Sequence, residues 1–276
     1  MIGRGRPGAG RVPAASERGF ALLIVLWSIV MLTLLITQLT GVGRSDVKLA
    51  ENLRGAAVAE ATADGLIHET AFHLLDRGDP SFADGRPHAA AVADGQATVQ
   101  IDNEAGKVNL NSASPALIRA VLHQLGADPR VADELAGAIV EWRFPAATAG
   151  LKNERYRAAG LSYAPPSAPF ENLDELGLVI GMTPDLMRQL RPLVTVLTDN
   201  EPDPQVACPQ VLAAIAEATG TQQIAAGRPA PLRTVTITAR VTTVSGSQFI
   251  RRAAVRLAAN RKERLLTILT WGAVSE

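Results

Sequence analysis

The chain has 276 residues, of which 47% are hydrophobic and 20% charged, which accommodates two domains with real cores plus a membrane segment and excludes a wholly disordered chain. Its 27 Lys and Arg balance 27 Asp and Glu, so a formal net charge of +0 removes the broad attraction that a dedicated nucleic-acid binder carries. The single cysteine, Cys208, excludes an internal disulfide framework and a thiolate zinc cluster.

The first predicted element is a membrane helix. Phe20 to Leu39 carry no charge, and 13 of these 20 residues are Leu, Ile, Val or Phe. Each is worth roughly −0.3 to −0.6 kcal/mol of insertion, so together they contribute roughly −4 to −8 kcal/mol before Gln38 and the hydroxyls subtract. At about 1.5 Å per residue, such a helix spans a hydrocarbon layer of roughly 30 Å. Arg4, Arg6, Arg11 and Arg18 outnumber Glu17 ahead of it, which leaves the amino terminus in the cytoplasm and sends everything after Gly41 across. A cleaved secretory signal has a shorter apolar core and a small-x-small site, which Gly41-Val42-Gly43 only loosely supplies. Instead, Val47, Ala50, Leu53, Ala57, Val58, Ala61, Leu66, Ile67, Phe72 and Leu75 continue a mostly helical spacing. The prediction is one helix of about 55 residues, apolar all round and then amphipathic, ending before Arg77-Gly78-Asp79-Pro80.

Arg18-Gly19-Phe20-Ala21-Leu22-Leu23, with the helix behind it, resembles the start of a type IV prepilin or pseudopilin. The resemblance implies recognition of Arg18-Gly19 by a prepilin peptidase, cleavage between Gly19 and Phe20, methylation of the new amine, and retention of the apolar helix. Pilins of this kind carry Glu at the fifth mature position, whereas here that residue is Ile24. In the family this departure marks a subunit at the extreme tip, with no neighbour above whose terminal amine it must neutralise. The alternative is an unprocessed single-span anchor.

Beyond the helix, Asp79 to Pro87 reads as turn-rich, and "QATVQIDN", Gln96 to Asn103, alternates as a strand does. A helical block follows from about Asn109 to Val196. It includes "SPALIRAVLHQLG", where Ser114 caps a helix with Pro115 at its first position. "DPRVADELAGAIVEWR" gives a second helix, and "ENLDELGLVIGMTPDLMRQLRPLVTVL" repeats a helix, glycine turn, helix plan. "DPQVACPQVLAAI" echoes "NLNSASPALIRAV", matching Ala113 with Ala207, Pro115 with Pro209, Leu117 with Val211 and Val121 with Ile215. "RTVTITARVTT", "SQFIRRAAVRLAA" and "RLLTILTWG" close the chain as three antiparallel strands separated by Ser245-Gly246-Ser247 and Asn260-Arg261-Lys262.

These stretches, in this order, resemble the K-type minor pseudopilin of type II secretion. The matching motifs are Asn109 to Ala113 (with Asn109, Asn111 and Ala113), Ala136 to Arg143 (with Trp142 and Arg143), Pro169 to Leu176 (with Phe170), and Gly181 to Leu197 (with Gly181 and Pro184). The implied fold is α+β and type IV pilin-like, with a long amino-terminal helix, an antiparallel sheet and an inserted all-α domain containing helix-hairpin-helix-like repeats. The expected organisation is a basic leader at 1–19, a transmembrane half-helix at 20–40 and an amphipathic half at 41–77. Sheet segments at 78–104 and 230–276 then flank an inserted helical domain at 105–229.

The same hairpins resemble those of membrane-anchored competence DNA receptors, which offer glycine backbone N–H groups and basic residues to phosphate. Against that, Asp128 and Asp185 follow the two glycine turns, Pro184 removes a donor, and Gly106 to Leu197 holds nine basic and nine acidic residues. No nucleophile-base pattern, phosphate loop or zinc spacing is present, and His68, His73, His88 and His123 are scattered, so no enzymatic role is expected. The family binds calcium in its inserted domain, but here the loop Phe144 to Gly150 has no carboxylate. Asp199, Glu201 and Asp203 are the best remaining acidic cluster, read more simply as a solvated loop. Arg251, Arg252 and Arg256 read as a docking patch or as charges guarding a strand edge.

The expectation is therefore a non-catalytic minor pseudopilin in the bacterial inner membrane, crossing once with its carboxy-terminal domain in the periplasm. The resemblance implies I- and J-type minor pseudopilins, the major pseudopilin and the prepilin peptidase as partners, and exported substrate or the outer-membrane secretin as further contacts. Nucleic acid is not an expected partner.

Overall fold

The computed structural model describes residues 16–77, 83–144, 149–221, 232–258 and 265–274. The chain divides into two compact units, Met1–Gly55 and Ala56–Glu276. Helix α1, Ser16–Arg77, contributes to both. It begins at Ser16, four residues before the predicted mature start at Phe20.

In the first unit the Gly19–Thr37 span of α1 is apolar on every side, and Phe20, Ile24, Trp27, Leu32 and Ile36 are exposed. Its few hydroxyls do not leave polar groups unmatched. Ser28, Thr33 and Thr37 each donate to the carbonyl four residues earlier, at 2.8, 2.8 and 2.7 Å.

In the second unit, the rest of α1 packs on a five-stranded antiparallel sheet. The strands are β1 (Asp84–Ala90), β2 (Gln96–Asn103), β5 (Thr234–Thr242), β6 (Gln248–Leu257) and β7 (Leu266–Ala273), in the order β1-β2-β5-β6-β7. Inward residues alternate along the strands: Val99 and Ile101 on β2, Val235, Ile237, Ala239 and Val241 on β5, and Ala253, Val255 and Leu257 on β6. The helix meets them with Ala59, Ala63, Leu66, Ile67, Ala71 and Leu74.

That face corrects the sequence reading. Of the apolar positions singled out there, Val47, Leu53, Val58 and Phe72 are exposed, Leu66 and Ile67 lie in the core, and Leu75 packs against it half-buried. Alanines at four-residue spacing carry the contact because their small side chains let the sheet approach the helix axis. A second correction concerns Asp79 to Pro87: residues 78–82 lie outside the described part, but Asp84 onward is strand. Pro87 is accommodated because β1 is an edge strand and the register shifts between Asp84 and Pro87, next to Gly85 at φ 71.

Between β2 and β5 lies a helical segment with its own core. Its helices are α2 (Pro115–Gln124), α3 (Pro129–Arg143), α4 (Ala149–Ala158), α5 (Pro184–Leu190) and α6 (Pro209–Thr219). Two short strands that the sequence reading missed, β3 (Val108–Asn109) and β4 (Val194–Thr195), pair in parallel and tie the two ends of this segment together. Ser114 caps α2 through Leu117 N–H, Asp128 caps α3 through Arg130 N–H, and Thr183 caps α5 through Leu186 N–H, each with Pro in the first turn. The second predicted helix–turn–helix differs: its first arm, Leu173–Leu178, is a 3₁₀ turn. Its six residues lie between the N-cap Asn172, which forms a capping box with Glu175, and the C-cap Val179.

Candidate functional site

Three groups of residues stand out once the elements are in place. The first is the amino-terminal stretch Gly19–Thr37, a helix long and apolar enough to cross a membrane. Gly19 and Phe20 lie side by side in α1, both exposed; Ile24 stands on the next turn with its carbonyl accepting from Ser28. Arg18 lies in the same helix.

The second group is the set of motif residues in the helical segment, which the fold brings together. Asn109 is buried on β3. Its side-chain amide donates to the Thr198 carbonyl and its oxygen accepts from Asn111 N–H at 2.7 Å. Asn111 in turn reads the backbone of Phe170 from both ends: its amide donates to the Phe170 carbonyl at 3.0 Å and its oxygen accepts from the Phe170 N–H at 2.7 Å. The Phe170 ring thus held stacks on Trp142 with centroids 5.9 Å apart and planes at 14°. Trp142 Nε1 donates to Glu175 at 3.3 Å, while the other Glu175 oxygen accepts from the N–H groups of Glu171 and Asn172.

Arg143, the last residue of α3, turns its guanidinium inward, where its two terminal nitrogens donate to the carbonyls of Leu110 and Ala113. Burial lowers its pKa from the usual arginine value. Among the described residues its Nε has no partner. Gly181, at φ 89, makes the turn before α5 with the Leu135 side chain against its inner side, and Pro184 opens that helix. Tyr156 on α4, missed by the sequence reading, is fully buried and its hydroxyl accepts from Ile180 N–H at 3.1 Å; burial raises its pKa. The motif residues therefore act as a set of backbone clamps around one aromatic stack. Every polar atom named except Arg143 Nε is engaged in holding chain segments, which makes this set rigid.

The third group joins α1 to the sheet, and it overturns the reading of Arg251 as part of an exposed patch. β6 lies between β5 and β7, so it is not an edge. Arg251 is buried, with Nε 2.5 Å from Asp64 and a terminal nitrogen 2.7 Å from Glu60, two carboxylates one turn apart on α1. The rings of Phe249 and Trp271 lie 4.8 and 5.3 Å from its guanidinium carbon, and His68, one turn beyond Asp64, stacks on Trp271 at 5.3 Å. Hydrogen bonding to Asp64 raises the Arg251 pKa further. Arg252 and Arg256 remain exposed on the opposite face of β6.

The acidic candidates do not converge. Asp199 lies 3.9 Å from Arg256 and Asp203 accepts from Gln205 N–H. Among the described residues no group of three or more His, Cys, Asp or Glu is placed to hold a metal ion. Residues 145–148 of the loop after Arg143 lie outside the described part. The described residues thus do not fit a calcium site.

Residues 91–199 match the sequence family described as type II secretion system (T2SS), protein K. No curated protein matches the chain. Among solved structures, a chain of the GspK-GspI-GspJ complex from the enterotoxigenic Escherichia coli type 2 secretion system superposes with a TM-score of 0.56 at 16% identity. The match covers 84% of this chain and 99% of that one.

Proposed function

We propose that this chain, whose residues 91–199 match the family described as type II secretion system (T2SS), protein K, is a minor pseudopilin. In this reading it is cut between Gly19 and Phe20, methylated, and assembled with I- and J-type minor pseudopilins into the tip that starts pseudopilus growth. The observation that carries the proposal is the conjunction of a membrane-length helix, Gly19–Thr37, with the protein K family match over residues 91–199. The role is structural and not catalytic. The apolar part of α1 packs with other such helices, the sheet is mounted on the rest of α1, and the clamped helical segment, a helix-hairpin-helix-like module, caps the tip.

A subunit lacking Glu at the fifth mature position suits the topmost place, since a terminal amine above Ile24 would be an unpaired charge in an apolar bundle. The inner membrane, with the domain after α1 in the periplasm, follows from the basic leader. Exported substrate, the secretin and the major pseudopilin are further contacts under the same proposal. A DNA-receptor role draws less support. The carboxylate of Asp128 already occupies the α3 amino terminus that a phosphate would need, and Asp185 pairs with Arg188 beside the other turn.

Co-expression of the full chain with I- and J-type minor pseudopilins and a prepilin peptidase, followed by affinity purification from membranes, tests the proposal. A stoichiometric three-subunit complex is expected. Recovery of the chain alone, with both partners expressed and folded, would refute it.

A further inference from the structure

We propose that β7 is a strand-addition site. An extended segment of a neighbouring pilin-like subunit, apolar on the side facing α1 and acidic on the other, pairs along the outer edge of Leu266–Ala273. The proposal rests on the minor-pseudopilin reading and names the surface that reading uses.

The two edges of the sheet differ in kind. β1 is guarded: Asp84, Arg86 and His88 put charge or titratable groups along it, Pro87 removes an N–H, and the register is broken between Asp84 and Pro87. β7 shares only the break in register, which falls at Leu269, the residue skipped opposite Ala254 and Val255. Its sequence, LTILTWGA, contains no charge and no proline, and among the described residues no strand pairs with its outer side. An edge of that length without a gatekeeper is a template for another strand.

Side-chain direction then fixes the chemistry of the partner. Leu266, Ile268 and Trp271 pair with Leu257, Val255 and Ala253, whose side chains join the core beneath α1, so these three β7 residues share the α1 side. They are not fully covered there: Ile268 is 45% and Trp271 37% exposed. Phe72, one turn past the His68 that stacks on Trp271, is 64% exposed and extends the apolar strip. The other face is small and polar. Thr267 pairs with Arg256 and Gly272 with Arg252. Two strand spacings are about 10 Å, and a Cβ at Gly272 would meet nothing within 4 Å. A carboxylate on the added strand therefore has a clear path over Gly272 to the exposed Arg252. The same face opens on a 410 Å³ groove whose lining includes Arg252, Thr270, Arg188 and Asp174. A second copy of this chain would bring two more arginines to that face instead of carboxylates, which disfavours self-pairing.

Hydrogen exchange on the full chain, alone and in complex with I- and J-type minor pseudopilins, reads this directly. The expected result is at least tenfold slower exchange in residues 265–274 on complex formation, with β1 unchanged. Ile268→Lys should weaken the complex at least tenfold without changing the melting temperature, and Arg252→Glu should weaken it while leaving β7 intact. A complex that forms with unchanged β7 exchange would overturn the proposal and leave the minor-pseudopilin reading standing. Protection that grows with the concentration of this chain alone would assign the edge to a second copy and overturn it too. No complex at all would remove both readings.

Discussion

Arg251 shows how much one side chain can decide. A buried guanidinium is tolerable here because two carboxylates of α1 and two aromatic rings surround it, and its position fixes the rotation of the helix over the sheet. Replacing it in Arg251→Met should lower stability by about 2–4 kcal/mol, since Asp64 and Glu60 lose the partner that draws them to the sheet; urea unfolding of the soluble part beyond the membrane segment measures this. Tyr156 makes a second case. Its pKa is raised above the ordinary tyrosine value mainly by burial, so the stability it contributes is complete below about pH 10 and declines as pH rises towards the folded value. Tyr156→Phe should cost about 1–2 kcal/mol at pH 8 by stranding the Ile180 N–H. The gap between the two proteins should narrow above pH 10 in denaturant titrations. Neither residue was singled out correctly by sequence alone. Arg251 sits among other arginines, and its burial depends on Glu60 and Asp64 nearly two hundred residues away; Tyr156 stands in a polar run, and only its contact with Ile180 reveals its place.

At the scale of elements, what was legible followed local rules. β2 and the three closing strands alternate in the sequence, and α2 is announced by Ser114-Pro115. The β3–β4 pair was invisible because two residues carry no period, and its partners lie far apart in the chain. The helix face of α1 was misread for a different reason. Large apolar side chains were counted, whereas the sheet packs on Ala59, Ala63 and Ala71, and the exposed Val58 and Phe72 lie off that face. The motif residues could be named from their resemblance to a family, but their joint role, clamping backbone around the Trp142–Phe170 stack, appears only in three dimensions. The joint between sheet and helical segment depends on Gly106, where a Cβ would lie 2.4 Å from the Val206 carbonyl oxygen. Beside it Glu104 is buried, accepting from Lys107 at 2.6 Å and from Thr236 at 2.7 Å. Gly106→Ala should therefore destabilise by about 2 kcal/mol or more, read as a lower melting temperature together with faster proteolysis near the joint. An unchanged melting temperature would show that Val206 yields at little cost.

For the whole molecule, the proposed function gives the membrane-length helix and the inserted segment separate tasks, and a single substitution can divide them. Ile24→Glu should be processed normally, because it leaves Gly19 and Phe20 untouched, yet it should disturb tip assembly by creating a carboxylate with no amine to neutralise. Secretion of an exported reporter, set beside the extent of processing, checks this. Full secretion with normal assembly would argue against the place at the tip. The most direct measurement of the central claim is the intact mass and amino-terminal sequence of the membrane-extracted chain, with and without an active prepilin peptidase. The account predicts a mature chain starting at methylated Phe20 only when the peptidase is present. A chain still starting at Met1 beside active peptidase would contradict it and return the protein to the class of uncut membrane anchors.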